Sequence, residues 1–185
     1  MTENPVHQKS DSEKREEWYV LHTRSRHEAV VYEGLLKKSK EVFLPRVKVR
    51  SKRVDRKAMI RVPLFPGYLF VKTHLTPHSH IEIVKTAGVV RLVGNQSSGP
   101  IPVPDEDIES LKIMVKTDEP VSTGMLRLKK GNRIMVVSGP FTGVTGVFVR
   151  YKGIGRVVVY IEVLGQYASV DVDEDDIEIL PEILL

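Results

Sequence analysis

Residues 129–149 read Lys129-Lys130-Gly131-Asn132-Arg133-Ile134-Met135-Val136-Val137-Ser138-Gly139-Pro140-Phe141-Thr142-Gly143-Val144-Thr145-Gly146-Val147-Phe148-Val149. Gly131 admits a turn into a strand, and Gly139-Pro140 signals a sharp turn out of it. Gly143 and Gly146 allow a positive φ or a close backbone approach where the next strand begins. Phe141, between the two turns, is expected to plug one end of a small barrel. Outward from this corner, short alternating runs recur at 133–137, 144–151, 156–163, 166–172 and 177–180, punctuated by Gly153-Ile154-Gly155 and Leu164-Gly165-Gln166. Five short strands with no helix predict a small β-barrel over residues 128–182. Closing the sheet removes its exposed edges, which lets so small a unit persist without cross-links.

Upstream, residues 116–127 lack periodicity and contain Pro120 and Gly124, which predicts a semi-flexible linker. Residues 16–115 read differently. Trp18-Tyr19-Val20-Leu21-His22-Thr23 is a strand by composition. Ser25 and Glu28 have capping-box spacing before a helix whose face is read as Ala29, Tyr32, Leu35 and Leu36. Val47 and Val49 alternate with Lys48 and Arg50, and Val54-Asp55-Arg56-Lys57 reads as a hairpin tip returning through Met59, Ile60 and Val62. Tyr68-Leu69-Phe70-Val71 is a strongly apolar strand. A short helix is expected from His80 to Lys85, a strand at 89–93, and a helix after Pro104, where Asp105, Glu106 and Asp107 suit the positive end of the dipole. The fold class is therefore α+β: an N-terminal antiparallel sheet flanked by helices, then a five-stranded SH3-like barrel. The polar opening residues predict a disordered tail over 1–15.

The chain has 185 residues, no cysteine and a net charge of +4. The charge divides into +6 over residues 1–115, zero over 116–127 and −2 over 128–185. The absence of cysteine excludes disulfides, thiolate metal sites and cysteine nucleophiles, and fits a reducing compartment. No apolar run reaches the roughly 20 residues of a membrane helix. No Walker loop, G-x-S-x-G or H-E-x-x-H appears, so no enzyme and no cofactor are expected. His74, His78 and His80 lack the Cys or carboxylate partners of a metal site and read as polar loop residues. Asp173 to Asp176 reads as a turn before the last strand.

The spacing of residues 129–149 resembles the KOW motif, with Gly131, Gly139, Pro140, Phe141, Gly143 and Gly146 as its marks. That motif occurs in NusG-type transcription factors and in some ribosomal proteins. Trp18 to Thr23, Val62-Pro63-Leu64-Phe65-Pro66-Gly67-Tyr68-Leu69-Phe70-Val71 and Gly88-Val89-Val90-Arg91-Leu92-Val93-Gly94 resemble the NusG N-terminal domain in the same order and spacing. The wording of 63–71 is close to that of the specialised RfaH and UpxY antiterminators, which the chain resembles more than housekeeping NusG. The corner Phe141-Thr142-Gly143-Val144-Thr145-Gly146 departs from the housekeeping pattern, which carries an acidic residue and an aromatic between Phe141 and Gly146.

The resemblance implies a cytoplasmic, monomeric regulator that binds RNA polymerase and promotes processive elongation and antitermination, with the barrel recruiting a second protein. It places a cavity for the polymerase clamp helices at His22, Phe65, Tyr68, Phe70, Val89, Val90 and Leu92. From the residues themselves, Phe65 and Tyr68 are expected to be exposed beside prolines and Gly67, and Leu69 and Val71 to be core. A second polymerase contact is implied at Ser79, His80 and Glu82. Arg24, Arg26, Lys37 and Lys38 are implied to contact the backbone of non-template DNA, and the basic Arg46–Arg61 hairpin, with Arg53, Arg56 and Lys57 near its tip, is a second candidate for upstream DNA or nascent RNA. At the partner loop of the barrel this chain has Val163-Leu164-Gly165-Gln166, without the family's aromatic and arginine. The loss predicts weak or absent Rho binding, with a small-subunit ribosomal protein as the retained partner. The alternative is a ribosome-associated or RNA-binding KOW protein, against which the barrel's −2 charge argues. The runs Val147-Phe148-Val149 and Val157-Val158-Val159 argue against a barrel that refolds into helices.

Overall fold

The computed structural model describes residues 15–51, 58–95, 97–125 and 131–181. The N-terminal part runs β1 (Glu17–Thr23), α1 (Glu28–Leu36), β2 (Glu41–Phe43), β3 (Arg46–Arg50), β4 (Met59–Pro63), β5 (Tyr68–Thr73), α2 (Pro77–Val84), β6 (Val89–Leu92), β7 (Gly94–Asn95), β8 (Gly99–Pro100), β9 (Pro102–Val103) and α3 (Asp105–Lys116). β1 lies in the middle of an antiparallel sheet in the order β2-β5-β1-β6, and β9 also pairs with β1. Successive strand residues face opposite sides. Tyr19 and Leu21 therefore join Leu69, Val71, Val89 and Leu92 beneath α1 and α2, in one core with Val31, Leu35 and Ile83. Trp18, Val20 and Phe70 meet Ile108, Leu111 and Met114 of α3 on the other side. Helices on both faces bury four consecutive residues of β1, so its sequence shows no alternation.

The first two helices depart from the expected pattern, α1 through a tertiary contact and α2 through a local cap. The buried face of α1 is Glu28, Val31 and Leu35, while Leu36 is exposed. Glu28 turns inward because its carboxylate accepts the backbone N–H of Gly67 at 2.7 Å. The expected Ser25–Glu28 capping box is therefore absent, and His27 occupies the N-cap without a side-chain bond. A capping box does form at the start of α2: Thr76 and Ser79 exchange bonds around Pro77, so the helix begins before His80.

β3 and β4 form a separate two-stranded ribbon. The tip expected at 54–57 lies outside the described residues, as does the expected tail apart from Arg15.

The C-terminal part runs β10 (Ser122–Gly124), β11 (Arg133–Val136), β12 (Thr145–Tyr151), β13 (Ile154–Ile161), β14 (Gln166–Asp171) and β15 (Ile177–Ile179). All five expected strands are present, in the order β14-β13-β12-β11-β15. A sixth strand, β10, pairs with β14 through Ser122↔Ser169 and Gly124↔Tyr167. This corrects the reading of 116–127 as wholly linker: three of its residues belong to the barrel sheet, and α3 extends into it at Lys116. The pairing satisfies the backbone of a segment that has no apolar pattern to advertise it.

α3 packs between the sheet and the barrel. The Ser110 hydroxyl accepts the backbone N–H of Thr145 at 3.0 Å, and both residues are buried. Arg133 of the barrel pairs with Glu106 of α3. The apolar core on this side is continuous from Trp18 and Phe70 through α3 to Ile134, Phe141, Val157 and Ile161.

Candidate functional site

Register decides which side chains can act together. His22 of β1 lies opposite Tyr68 of β5 on one side and Arg91 of β6 on the other, and directly opposed residues share a face. Tyr68, His22 and Arg91 thus form one row across three strands. The His22 and Tyr68 rings are stacked with centroids 5.2 Å apart. The next row inward is Phe43, Phe70 and Val20, with Phe43 stacked on Phe70 at 5.9 Å and Phe65 edge-on to Phe70 at 6.3 Å. The third row, Lys72 and Trp18, is roofed by α3: the ammonium groups of Lys72 and Lys112 lie 5.7 and 5.0 Å from the Trp18 ring. The inner rows are filled by side chains. His22 and Tyr68 stay half-buried and Arg91 exposed, so this row is the open end of the face.

Of the residues assigned to a clamp-helix cavity, four take other places. Phe65 is fully buried, against the expectation of exposure. Its ring enters the α3-side core rather than following the turn outward. Phe70 is also fully buried and supports Tyr68 from beneath. Val89 and Leu92 belong to the core under α1 and α2, on the opposite side of the sheet. Val90 is exposed because the register shifts between His22 and Thr23, which leaves it as the extra residue of a bulge. Arg91, absent from the sequence assignment, stands beside His22. Its place follows from the pairing register, which no single-strand pattern reveals.

The second set divides in the same way. Ser79 is buried, and its hydroxyl donates to the carbonyl of His74 at 2.7 Å. Glu82 pairs with Lys40 at 3.0 Å, and that ammonium lowers its pKa. His80 remains exposed. Among the cationic candidates, Arg24, Arg26 and Lys37 are exposed. Lys38 is engaged inside the fold, where its ammonium donates to the Glu82 carbonyl at 2.7 Å and the Thr86 hydroxyl at 2.8 Å, tying α1 to α2. That use competes with phosphate contact. Arg53, Arg56 and Lys57 lie outside the described residues. Among the described residues no group of three or more His, Asp or Glu could hold a metal ion.

In the barrel, Gly131 precedes β11, Gly139 and Pro140 are exposed in the turn, and Phe141 is buried in the shared core. Gly143 has φ +92° and sits against Ile113 of α3. Gly146 lies where a Cβ would come within 2.5 Å of the Val158 carbonyl. Val163 and Leu164 are half-buried in a 3-10 turn, Gly165 is left-handed and Gln166 opens β14. Val163, Tyr160 and Asp107 line a cleft of about 580 Å³ that also involves residues 101–104 of the N-terminal part.

Burial, with Glu106 adding to it and Arg133 opposing, pushes the Asp107 carboxyl up to about 6. The folded state thus holds its proton to a higher pH than the unfolded chain. Stability is greatest below the unfolded pKa and declines as pH rises through about 6. Asp107→Asn is expected to raise stability by about 1–2 kcal/mol near neutral pH and to leave it unchanged near pH 4. Urea titrations at the two pH values check this; equal gains at both would refute it.

A family model described as "Transcription termination factor nusG" matches residues 16–112. A transcription termination/antitermination protein NusG from Thermus thermophilus is 30% identical over 177 residues, covering 85% of this chain and 95% of the relative. The chain belongs to the NusG family. The Bacillus subtilis NusG is 26% identical over 174 residues, covering 87% and 97%. A Thermotoga maritima NusG, solved in a study of its domain interaction, has a TM-score of 0.51 and 23% identity, covering 90% of this chain and 98% of that one. It shares the fold, an N-terminal α/β unit followed by a β-rich KOW unit. Membership in the NusG family makes this chain a transcription termination/antitermination factor. No helix among the described residues is long and apolar enough to cross a membrane.

Proposed function

We propose that this NusG-family factor binds RNA polymerase through the Tyr68–His22–Arg91 row and promotes processive elongation, in the manner of the specialised antiterminators. The observation that carries the reading is the open end of the α3 face. A stacked Tyr–His pair and an arginine stand there on a rigid sheet, backed by the buried Phe65 and Phe70. Aromatic and arginine side chains on a preformed support are the residue types that dominate protein interfaces. A projecting helix tip would bury Tyr68 and His22 while Arg91 met its acidic or carbonyl groups.

The factor acts by binding energy. Holding polymerase in its closed, elongating form shifts a conformational population and needs no chemistry from the factor. His80 and the exposed Arg24, Arg26 and Lys37 extend the contact to polymerase and to the phosphate backbone of non-template DNA. Residues 128–182 constitute a KOW unit that recruits a second protein, with the small-subunit ribosomal protein favoured over Rho because Val163-Leu164-Gly165-Gln166 carries no aromatic anchor and no arginine. A single-round transcription assay through a pause and a terminator tests the function. Full-length transcript should rise with the wild-type chain and not with Tyr68→Ala. No increase with the wild type would overturn the reading.

A further inference from the structure

The cleft of about 580 Å³ beside α3 has walls from the two parts of the chain. One wall is residues 101–104 with Asp107 in the first turn of α3. It is fixed to the sheet, because β9 pairs with β1 through Trp18↔Val103 and Tyr19↔Pro102. The other wall is Tyr160 near the end of β13, with Glu162 and Val163 in the turn that follows. The Arg133–Glu106 pair and the Ser110–Thr145 bond hold the walls at a set spacing. A cavity of this size at a junction between folded parts is a common place for a small molecule.

The lining has a consistent chemistry. Prolines, Ile101, Val103, Val163 and the Tyr160 ring make most of it apolar. Its two charged groups are the carboxylates of Asp107 and Glu162, one on each wall, and no lysine, arginine or histidine lines it. Asp107 is half-buried and Glu162 exposed. Among the described residues neither carboxylate forms an ion pair or accepts a hydrogen bond. The charges that act on Asp107 are those of Glu106, which raises its pKa after burial has done so, and Arg133, which opposes the rise. Arg133 is itself paired with Glu106. The cleft therefore holds a partly desolvated anion without a partner, a second anion facing it, and apolar surface between them.

We infer that this cleft is a binding site for an aliphatic diamine or polyamine, with one ammonium group on Asp107, a second on Glu162 and the methylene chain against the apolar walls. Charge-assisted bonds to a partly buried carboxylate are stronger than neutral ones. The methylenes leave water for surface that is already apolar. A bare divalent metal ion fits less well, because it needs several oxygen ligands and no group of three or more His, Asp or Glu is present among the described residues. An occupant would touch both walls and so tie the barrel to the N-terminal part. The site lies apart from the Tyr68–His22–Arg91 row and does not depend on what that row binds.

Calorimetric titration of the full chain with putrescine, the four-carbon diamine, tests this. Butylamine, with the same stem and one ammonium, should bind several-fold more weakly, and butanediol should give no heat. Asp107→Asn should weaken putrescine roughly tenfold and Glu162→Gln a few-fold, in proportion to their burial. Asp107→Asn is expected to be more stable than the wild type, so its loss of binding is not a loss of fold. Because the ammonium needs the ionised carboxylate, affinity should fall as pH drops through about 6, roughly tenfold from about pH 7.5 to about pH 5. Asp107→Asn should lose that dependence. Asp175→Asn, in the acidic turn of the barrel, should bind as the wild type does. The inference is overturned if putrescine does not bind or binds no more tightly than butylamine, or if Asp107→Asn keeps the wild-type affinity. It is overturned equally if Asp175→Asn weakens binding as much as Asp107→Asn, the mark of diffuse attraction to acidic surface.

Discussion

Phe65→Ala is expected to unfold the N-terminal part or bring it to the edge of unfolding. Phe65 is fully buried and meets Phe70 edge-on in the core beneath α3. Truncating a buried phenylalanine costs about 3–5 kcal/mol, because the lost transfer free energy is joined by that of a cavity the neighbours cannot fill. Against a total stability of roughly 5–15 kcal/mol, that is a large share. Urea unfolding followed by Trp18 fluorescence measures it directly, since Trp18 lies in the same core. A loss below about 1 kcal/mol would mean that Phe65 is exposed in solution and free to contact a partner.

Gly146→Ala should have a comparable effect on the barrel. The added Cβ would stand 2.5 Å from the carbonyl oxygen of Val158 and 3.1 Å from a methyl of Val157. Backbone on β13 cannot yield without parting β12 from β13, whose register runs through Val147↔Val158 and Phe148↔Val157. Overpacking of this kind costs about 1–3 kcal/mol. In a unit of only about 50 residues, that lowers the melting temperature by roughly 10 °C or more. Because the core continues into α3, the N-terminal part should melt lower as well. Differential scanning calorimetry of the full chain shows both effects. An unchanged melting profile would place Gly146 away from β13.

The C-terminal fold was legible because its signals are local. Gly139-Pro140 and Gly143 mark a turn and Gly146 a close approach between strands, and short alternating runs between such signals leave few alternatives to a small barrel. β10 escaped notice because Ser122-Thr123-Gly124 has no apolar side chain to bury, and its place is set by backbone bonds to β14. The candidate site was legible by residue type and less so by arrangement. Tyr68 and His22 do meet, yet Val89 and Leu92, close in sequence to Arg91, point through the sheet to the other core. A bulge at Val90 decides which residues of β6 face outward, and a bulge depends on the partner strand. Phe65 shows the same limit. Prolines and a glycine around it suggest an exposed turn, while the space between α3 and the sheet takes its ring inward. Lys38 and Ser79 read as surface contacts because both residue types are common there. Lys38 is held by Glu82 and Thr86, far along the chain, whereas Ser79 closes a local cap at the start of α2 with Thr76 and His74.

The Tyr68–His22–Arg91 row is proposed to hold RNA polymerase. Equilibrium binding of the full chain to purified core polymerase, wild type against Tyr68→Ala and Arg91→Ala, tests it most directly. Removing a central aromatic of an interface typically costs 2 kcal/mol or more. Tyr68→Ala should give at least a tenfold weaker complex and Arg91→Ala a several-fold loss, with both variants melting as the wild type does. Polymerase affinity within twofold of wild type for a correctly folded Tyr68→Ala variant would contradict it.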